Sequence, residues 1–203
     1  MLKGDRCATT AIVLAAGESK RMPSCNKLLS PLDGVAMIVR VVETILSAGV
    51  SDIIVVTGHD AANIRKALSG YDVRFIHNPE YKDGMSTSLR AGLAAVDERL
   101  NSAMICLGDM PWIKTESVQA LLRAFDPEHP RICVPFYGRE RGHPVLWPSR
   151  FFTEMAEVSG DRGARHLLDR HASEVTRVAV SDANVIVDID TLDALRPDSG
   201  VSP

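Results

Sequence analysis

Short apolar runs recur along this chain, and each is continuous rather than alternating. They are Thr10–Ala15 (TAIVLA), Asp52–Thr57 (DIIVVT), Val73–His77 (VRFIH), Ala103–Leu107 (AMICL) and Arg131–Pro135 (RICVP). A strand with one wet face alternates apolar and polar residues; unbroken runs of this length belong to strands covered on both faces. The segments between them have helical period. Ala36–Ala48 repeats the pairs Met37-Ile38, Val41-Val42 and Ile45-Leu46 and stops at Gly49, and Asp60–Leu68 opens on Asp60 as a plausible N-cap. Ser86–Leu100 and Thr115–Phe125 are further helices by the same test. Strands alternating with helices predict an α/β fold: three layers, a mostly parallel sheet with helices on both faces.

The rhythm changes after residue 136. "FYGRERGHPVLWP" (136–148) sets Gly138, Gly142 and Pro144 in a β-like composition, which predicts a hairpin or small β excursion off the main sheet. "SGDRGARHLLDRH" (159–171) opens as a helix, and "VIVDIDTLDAL" (185–195) reads as a strand followed by a capped turn of helix. The whole of 1–203 reads as one domain, with 196–203 (RPDSGVSP) a disordered tail.

Composition narrows the partners. With 203 residues, 45% hydrophobic and 24% charged, the chain is long enough and apolar enough for a sizeable core. A net charge of −3 offers no general attraction for nucleic acid or an anionic membrane, but basic residues gather at 20–27 and 139–150, so a small anionic ligand remains open. The four cysteines form no Cys-x-x-Cys pair; Cys106 and Cys133 sit in apolar runs and read as core, whereas Cys25 lies in a polar loop. With no apolar leader at the N-terminus and no run of 18 apolar residues, the expected location is cytoplasmic.

In open parallel sheets ligands bind at the carboxyl ends of strands, so the residues just after strands matter most. "IVLAAGESKRMPSCNKLL" (12–29) is neither a P-loop nor part of any G-x-G-x-x-G. Its small Ala15, Ala16 and Gly17 let an anion approach the backbone N–H groups, and Arg21 and Lys27 supply charge that backbone dipoles alone cannot. The plainer reading of Lys20, Arg21 and Lys27 is a solvated basic loop. Asp109, in "AMICLGDMPWI" (103–113), follows a buried strand, as a ligand for a hard cation such as Mg²⁺ or as a turn cap. Asp188 and Asp190, two apart, would share one face of a strand; either could meet a metal, and Asp190 could equally be an N-cap. In "NPEYKDGMSTSLRAGL" (78–93) Ser86 reads as a helix cap, which leaves Ser88 for a ligand. His143 lies between Gly142 and Pro144 without zinc spacing, and Arg162 and Arg165 near a helix start are either solvated or grip a second anion.

Taken together, "LAAGESKRM…NKLL", "NPEYKDGMSTSLRAGL", "LGDMPWI", "GRERGHPVLW", "GDRGARHLL" and "VDIDTLDAL" resemble, in order, the molybdenum cofactor cytidylyltransferase family. These are nucleotidyltransferases similar to the molybdopterin guanylyltransferase. Leu-Ala-Ala-Gly and Gly-His-Pro lie on the cytidylyl side of that group. The resemblance implies a Rossmann-like sheet, Mg²⁺, CTP and a molybdopterin-type cofactor as substrates, and CMP transfer with release of pyrophosphate. A molybdoenzyme or its chaperone would receive the product. By position it puts Leu14, Ala15, Ala16, Gly17, Ser19, Arg21 and Lys27 around the nucleotide, with Gly84 to Ser88 beside the base. Arg21, Lys27 and Asp109 would be catalytic. Asp109 would hold Mg²⁺ with Asp188 or Asp190 as second carboxylate, and His143, Arg162 and Arg165 would face the pterin. Pro23 stands where the family usually has glycine, which stiffens the loop and removes an N–H donor. Three rivals stay open: another NTP or phosphorylated acceptor such as a sugar phosphate, a glycosyltransferase using Asp188-Ile-Asp190, and a non-catalytic pterin carrier.

Overall fold

The computed structural model describes residues 9–18, 26–160 and 164–188. In chain order its elements are β1 (Thr9–Ala15), β2 (Pro31–Leu32), β3 (Val35–Ala36), α1 (Met37–Ser47), β4 (Asp52–Thr57), α2 (Ala61–Ala67), β5 (Arg74–His77) and α3 (Met85–Leu93). There follow β6 (Ser102–Leu107), α4 (Thr115–Ala124), β7 (Ile132–Tyr137), β8 (Glu140–Arg141), β9 (Val145–Pro148), α5 (Phe152–Ala156), α6 (Arg165–Arg170) and β10 (Val175–Ala179). The main sheet runs β10-β7-β9-β6-β1-β4-β5, with β8 attached to β7; β2 and β3 make a separate hairpin. β1 pairs in parallel with both β4 and β6, and Ile12 stands opposite Ile54 on one side and Ile105 on the other.

Successive residues of β1 explain why its run is unbroken. Ala11 and Val13 enter one core with Val42, Ile45, Ile64 and Leu121 of α1, α2 and α4. Ile12 enters the other with Leu89, Leu93, Met155 and Leu168 of α3, α5 and α6. Both faces are therefore dry, as expected for a mostly parallel three-layer α/β sheet, and each fully buried aliphatic side chain contributes about 1.5–3 kcal/mol over leaving it in water.

Four local expectations are corrected. Residues 136–148 form the expected hairpin, with β7 turning back antiparallel into β8, but 145–148 do not leave the main sheet: β9 lies inside it, antiparallel to both β6 and β7. Val145, Leu146 and Trp147 are buried, and an antiparallel return needs no crossover helix to announce it. β10, parallel to β7 at the sheet edge, was not expected; Val175, Thr176 and Val178 alternate with exposed positions only weakly, as an edge strand does. The strand expected from Val185 is instead a 3₁₀ turn, Ala183–Ile186. Asp182 forces this: buried, it accepts from Asn184 N and Nδ2 (3.1 and 2.8 Å) and from Lys114 N and Ser117 Oγ (2.8 and 3.0 Å), tying the turn to the start of α4. Finally α3 stops at Leu93, short of Leu100.

Two expected caps also differ. Asp60 occupies the N-cap of α2 in a left-handed conformation (φ 56°) without capping it, and accepts from Asn63 Nδ2 instead. Ser86 lies within α3, whose N-cap is Gly84, and the helix start is held by Thr87 Oγ1 donating to Gly84 O at 2.9 Å. Cys106 and Cys133 are buried free thiols as expected; burial pushes the Cys106 pKa far up and that of Cys133 to about 11. No helix among the described residues is long and apolar enough to cross a membrane.

Candidate active site

β1 is the strand at which the chain changes direction across the sheet: β4 and β5 lie on one side of it, β6 on the other. The crevice of such a sheet opens at the carboxyl ends of the two strands flanking that reversal, here Leu14 of β1 beside Leu107 of β6. Gly108 follows. Its N–H donates to Leu14 O at 3.1 Å, and a Cβ on it would stand 2.9 Å from that oxygen. Only glycine keeps the two chains this close, and the next residue, Asp109, is turned out over the strand ends.

The loop after β1 returns to the same place. Asn26 caps a 3₁₀ turn, Lys27–Leu29, by accepting from Leu28 N at 3.1 Å, and Leu28 is buried. The turn aims Lys27 at Asp109: Nζ donates to Oδ2 at 2.7 Å, with side chains 16% and 22% exposed. Ala15 and Ala16 are buried and Gly17 is exposed, with nothing near the position of a Cβ. Ser19, Arg21, Pro23, Cys25, Arg162 and Asp190 lie outside the described residues.

A cleft of about 770 Å³ opens on this edge. Leu14, Leu89, Ile105 and Trp147 form apolar walls, and His143, Arg165 and Asp188 bring polar groups. His143 is clamped from behind: its N–H donates to Val185 O at 2.8 Å, and a Cβ on Gly142 would stand 2.4 Å from that same oxygen. Burial lowers the His143 pKa from its ordinary value; Asp109 opposes this, Arg165 reinforces it, and the Ile105 carbonyl and Asp188 again oppose it. His143 Nδ1 is buried without a hydrogen-bond partner among the described residues.

The described residues thus join Lys27 to Asp109 and set His143, Arg165 and Asp188 around one cleft. Gly84 (φ 109°) and Met85 start α3 at its rim, and Met85 lines it. Ser88 is turned into a buried network, accepting from Asn78 Nδ2 at 3.0 Å while Asn78 also donates to Thr87 Oγ1 at 2.8 Å. Asn26, Asn78 and Asp182 were not singled out from the sequence. The signal for Asn26 was its place directly before Lys27, and for Asn78 its place before Pro79 at a strand end. A larger cavity, about 1070 Å³, lies at the opposite, amino-terminal edge near Thr9, Asp52 and Arg74. There Asp52 is already held by Arg74 (2.9 and 3.0 Å) and Thr10 Oγ1, so size alone does not mark the site.

The description of the MobA-like NTP transferase domain matches residues 11–175, the stretch from β1 to the start of β10. The chain belongs to this family. MobA-like NTP transferases are nucleotidyltransferases, and the solved structures agree. The chain is similar to a nucleotidyl transferase, Mth528, from Methanothermobacter thermautotroptrophicus (TM-score 0.78, 26% identity, 92% of this chain and 93% of that one). It is equally similar to Rv0371c from Mycobacterium tuberculosis H37Rv (TM-score 0.78, 30% identity, 92% and 94% covered), a protein also solved in complex with manganese. A relative from Paenarthrobacter nicotinovorans, named nicotine blue oxidoreductase, is 29% identical over 94% of this chain and 96% of its own length. The bifunctional protein GlmU of Sorangium cellulosum is 35% identical over 58% of this chain, which spans only 26% of that protein.

Proposed function

We propose that this MobA-like NTP transferase transfers CMP from CTP to the terminal phosphate of molybdenum-loaded molybdopterin. The observation that carries the reading is the meeting of Lys27 with Asp109 at the β1–β6 crevice: a cation and a carboxylate at one strand edge suit a nucleoside triphosphate and a hard cation. An oxygen of the acceptor phosphate attacks the α-phosphorus of CTP, the new P–O bond forms as the α–β bond breaks, and pyrophosphate leaves. The nucleophile is already an anion, so no strong base is needed; the demand is to hold two anions in line while charge grows on the leaving group.

The donor set fits Mg²⁺. Asp109 and Asp188 both act on the His143 ring, and the described residues contain no group of three His, Cys, Asp or Glu that could hold a metal by themselves. One or two carboxylates, with waters and phosphate oxygens for the rest, is the habit of Mg²⁺ and not of zinc. When bound, the ion would neutralise the phosphate oxygens at the reacting phosphorus. Lys27 would stand by the phosphate chain with Arg21, and Ala15 to Gly17 would keep the approach to the backbone open. Ser19 would add a hydroxyl and Gly84 to Ser88 would lie by the base. His143, Arg165 and Arg162 would face the acceptor, with Asp190 the alternative to Asp188.

Incubation with CTP, GTP or UTP, Mg²⁺ and molybdenum-loaded molybdopterin, with pyrophosphate and dinucleotide measured, tests this. CTP-dependent release of both supports it. Release only with GTP, or only with a sugar phosphate, moves the reading to another nucleotide or acceptor.

A second reading has one observation behind it, the end-to-end similarity to nicotine blue oxidoreductase. The absence of G-x-G-x-x-G weighs against a dinucleotide fold of the usual kind. A colour change of nicotine blue with NAD(P)H, and no pyrophosphate in the nucleotide panel, would favour it.

A further inference from the structure

Among the described residues two buried side-chain polar atoms lack a partner, Asn26 Nδ2 and His143 Nδ1, and both belong to the surroundings of Asp109. His143 lines the cleft already described. Asn26 caps the Lys27–Leu29 turn through Oδ1 alone. It is 5% exposed, and its amide cannot be turned round: Oδ1 accepts from Leu28 N at 3.1 Å, a bond the NH₂ group could not make. Its backbone oxygen is occupied as well, by Leu29 N at 2.9 Å. Two N–H donors are therefore left buried and bare, an arrangement that lowers stability unless a ligand supplies an oxygen. The turn that Asn26 caps is pinned to the end of β6 twice, by Lys27 on Asp109 and by Leu28 Cδ1, 3.3 Å from where a Cβ on Gly108 would stand.

We propose that Asn26 is a phosphate-binding residue whose Nδ2 donates to an oxygen of the nucleotide's phosphate chain. This rests on reading the crevice as a nucleoside triphosphate site. The neighbouring charge selects the phosphate rather than the base: an oxygen that approaches Asn26 here also comes under the field of the Lys27 ammonium, which favours an anion. Asn26 thus has two jobs on one amide. Oδ1 shapes the turn that presents Lys27, and Nδ2 is kept for the ligand.

Two substitutions separate these jobs. Asn26→Ser keeps an oxygen able to accept from Leu28 N but removes Nδ2; Asn26→Asp keeps shape and cap and puts an anion where the donor was. Titration calorimetry of wild type and both variants is run with CTP and with inorganic tripolyphosphate, at fixed Mg²⁺ and without acceptor. Asn26→Ser is expected to weaken both probes about tenfold and Asn26→Asp more, while the Tm of the ligand-free Asn26→Ser protein is unchanged or higher. Unaltered affinity for both probes overturns the proposal, as does a lower Tm with unaltered affinity. Weaker CTP binding with intact tripolyphosphate binding overturns the phosphate assignment. If CTP binds but no CMP reaches molybdopterin, the acceptor falls and Asn26 is still judged by these titrations; if wild type binds neither probe, both fall.

Discussion

Lys27 Nζ and Asp109 Oδ2 meet at 2.7 Å although 82 positions separate them in the chain. The contact ties the loop after β1 to the end of β6, across the crevice where the nucleotide is proposed to lie.

Asp109→Asn keeps the size of the side chain and removes its charge. We expect Mg²⁺-dependent transfer to fall at least about 10²-fold in kcat, the scale of losing one preorganised electrostatic group, with the Tm within a few degrees of wild type. Lys27→Met should raise the KM for the nucleotide and lower kcat, and the double variant should lose less than the sum of the two. Steady-state pyrophosphate release measures all three; full turnover in Asp109→Asn would remove it from the chemistry.

Gly142→Ala introduces a Cβ 2.4 Å from Val185 O. The turn Ala183–Ile186 must move, and the bond from His143 N to Val185 O with it. A destabilisation of about 1–3 kcal/mol is expected for such overpacking. The KM for the acceptor should rise, since His143, proposed to face the acceptor, shifts with Val185. Chemical denaturation and separate KM values check the two halves of this statement.

Asp182→Ala strips the acceptor from four donors on two elements. Bonds to a charged group are worth about 1.5–3 kcal/mol, and buried donors left bare add to the loss. We expect a Tm drop larger than that of any substitution above, and proteolysis to begin around residues 183–188. A Tm within two or three degrees of wild type would show that α4 does not depend on this carboxylate.

Glu154 supplies a pH dependence. Hydrogen bonds from Arg170 (2.6 Å) and then from His171 (2.7 Å) lower its pKa from the ordinary 4.5. A carboxyl with a depressed folded pKa contributes stability that is present above its unfolded value and lost as pH falls through the folded one. Glu154→Gln should therefore lower the Tm at pH 7, and the difference should close as the pH falls through the depressed folded pKa. A gap of equal size at both ends of a Tm series over that range would assign the effect to packing of α5 on α6.

The sheet was legible because β1, β4 and β6 are dry on both faces, and a run such as DIIVVT admits little else. Lys27 and Asp109 were legible for the same reason: each follows such a strand, and the edge where parallel strands end is where ligands bind. The hairpin at 136–148 was legible from its glycines, but the place of β9 between β6 and β7 was not, because an antiparallel return by Val145–Pro148 carries no helix to mark it. The turn after Asp182 was misread as a strand because VIVDID has β composition, while the bonds that bend it come from Lys114 and Ser117, far away in sequence. Asn26 was passed over because an asparagine beside a lysine is ordinary; only the burial of its amide, with one end engaged and the other bare, sets it apart.

The place of β9 bears on how the polypeptide assembles during synthesis. Strands β1, β4, β5 and β6 emerge in an order that lets each pair with a strand already made, β4 with β1, β5 with β4 and β6 with β1. β7 emerges next and cannot join them, because the strand that belongs between it and β6 is still to come. Until residues 145–148 leave the ribosome, β7 carries only the β8 hairpin, and the backbone N–H and C=O groups that β9 will pair stay unmatched. β7 therefore joins the sheet only when its own hairpin return, β9, pairs with β6, and β10 adds to the outer side of β7 later still.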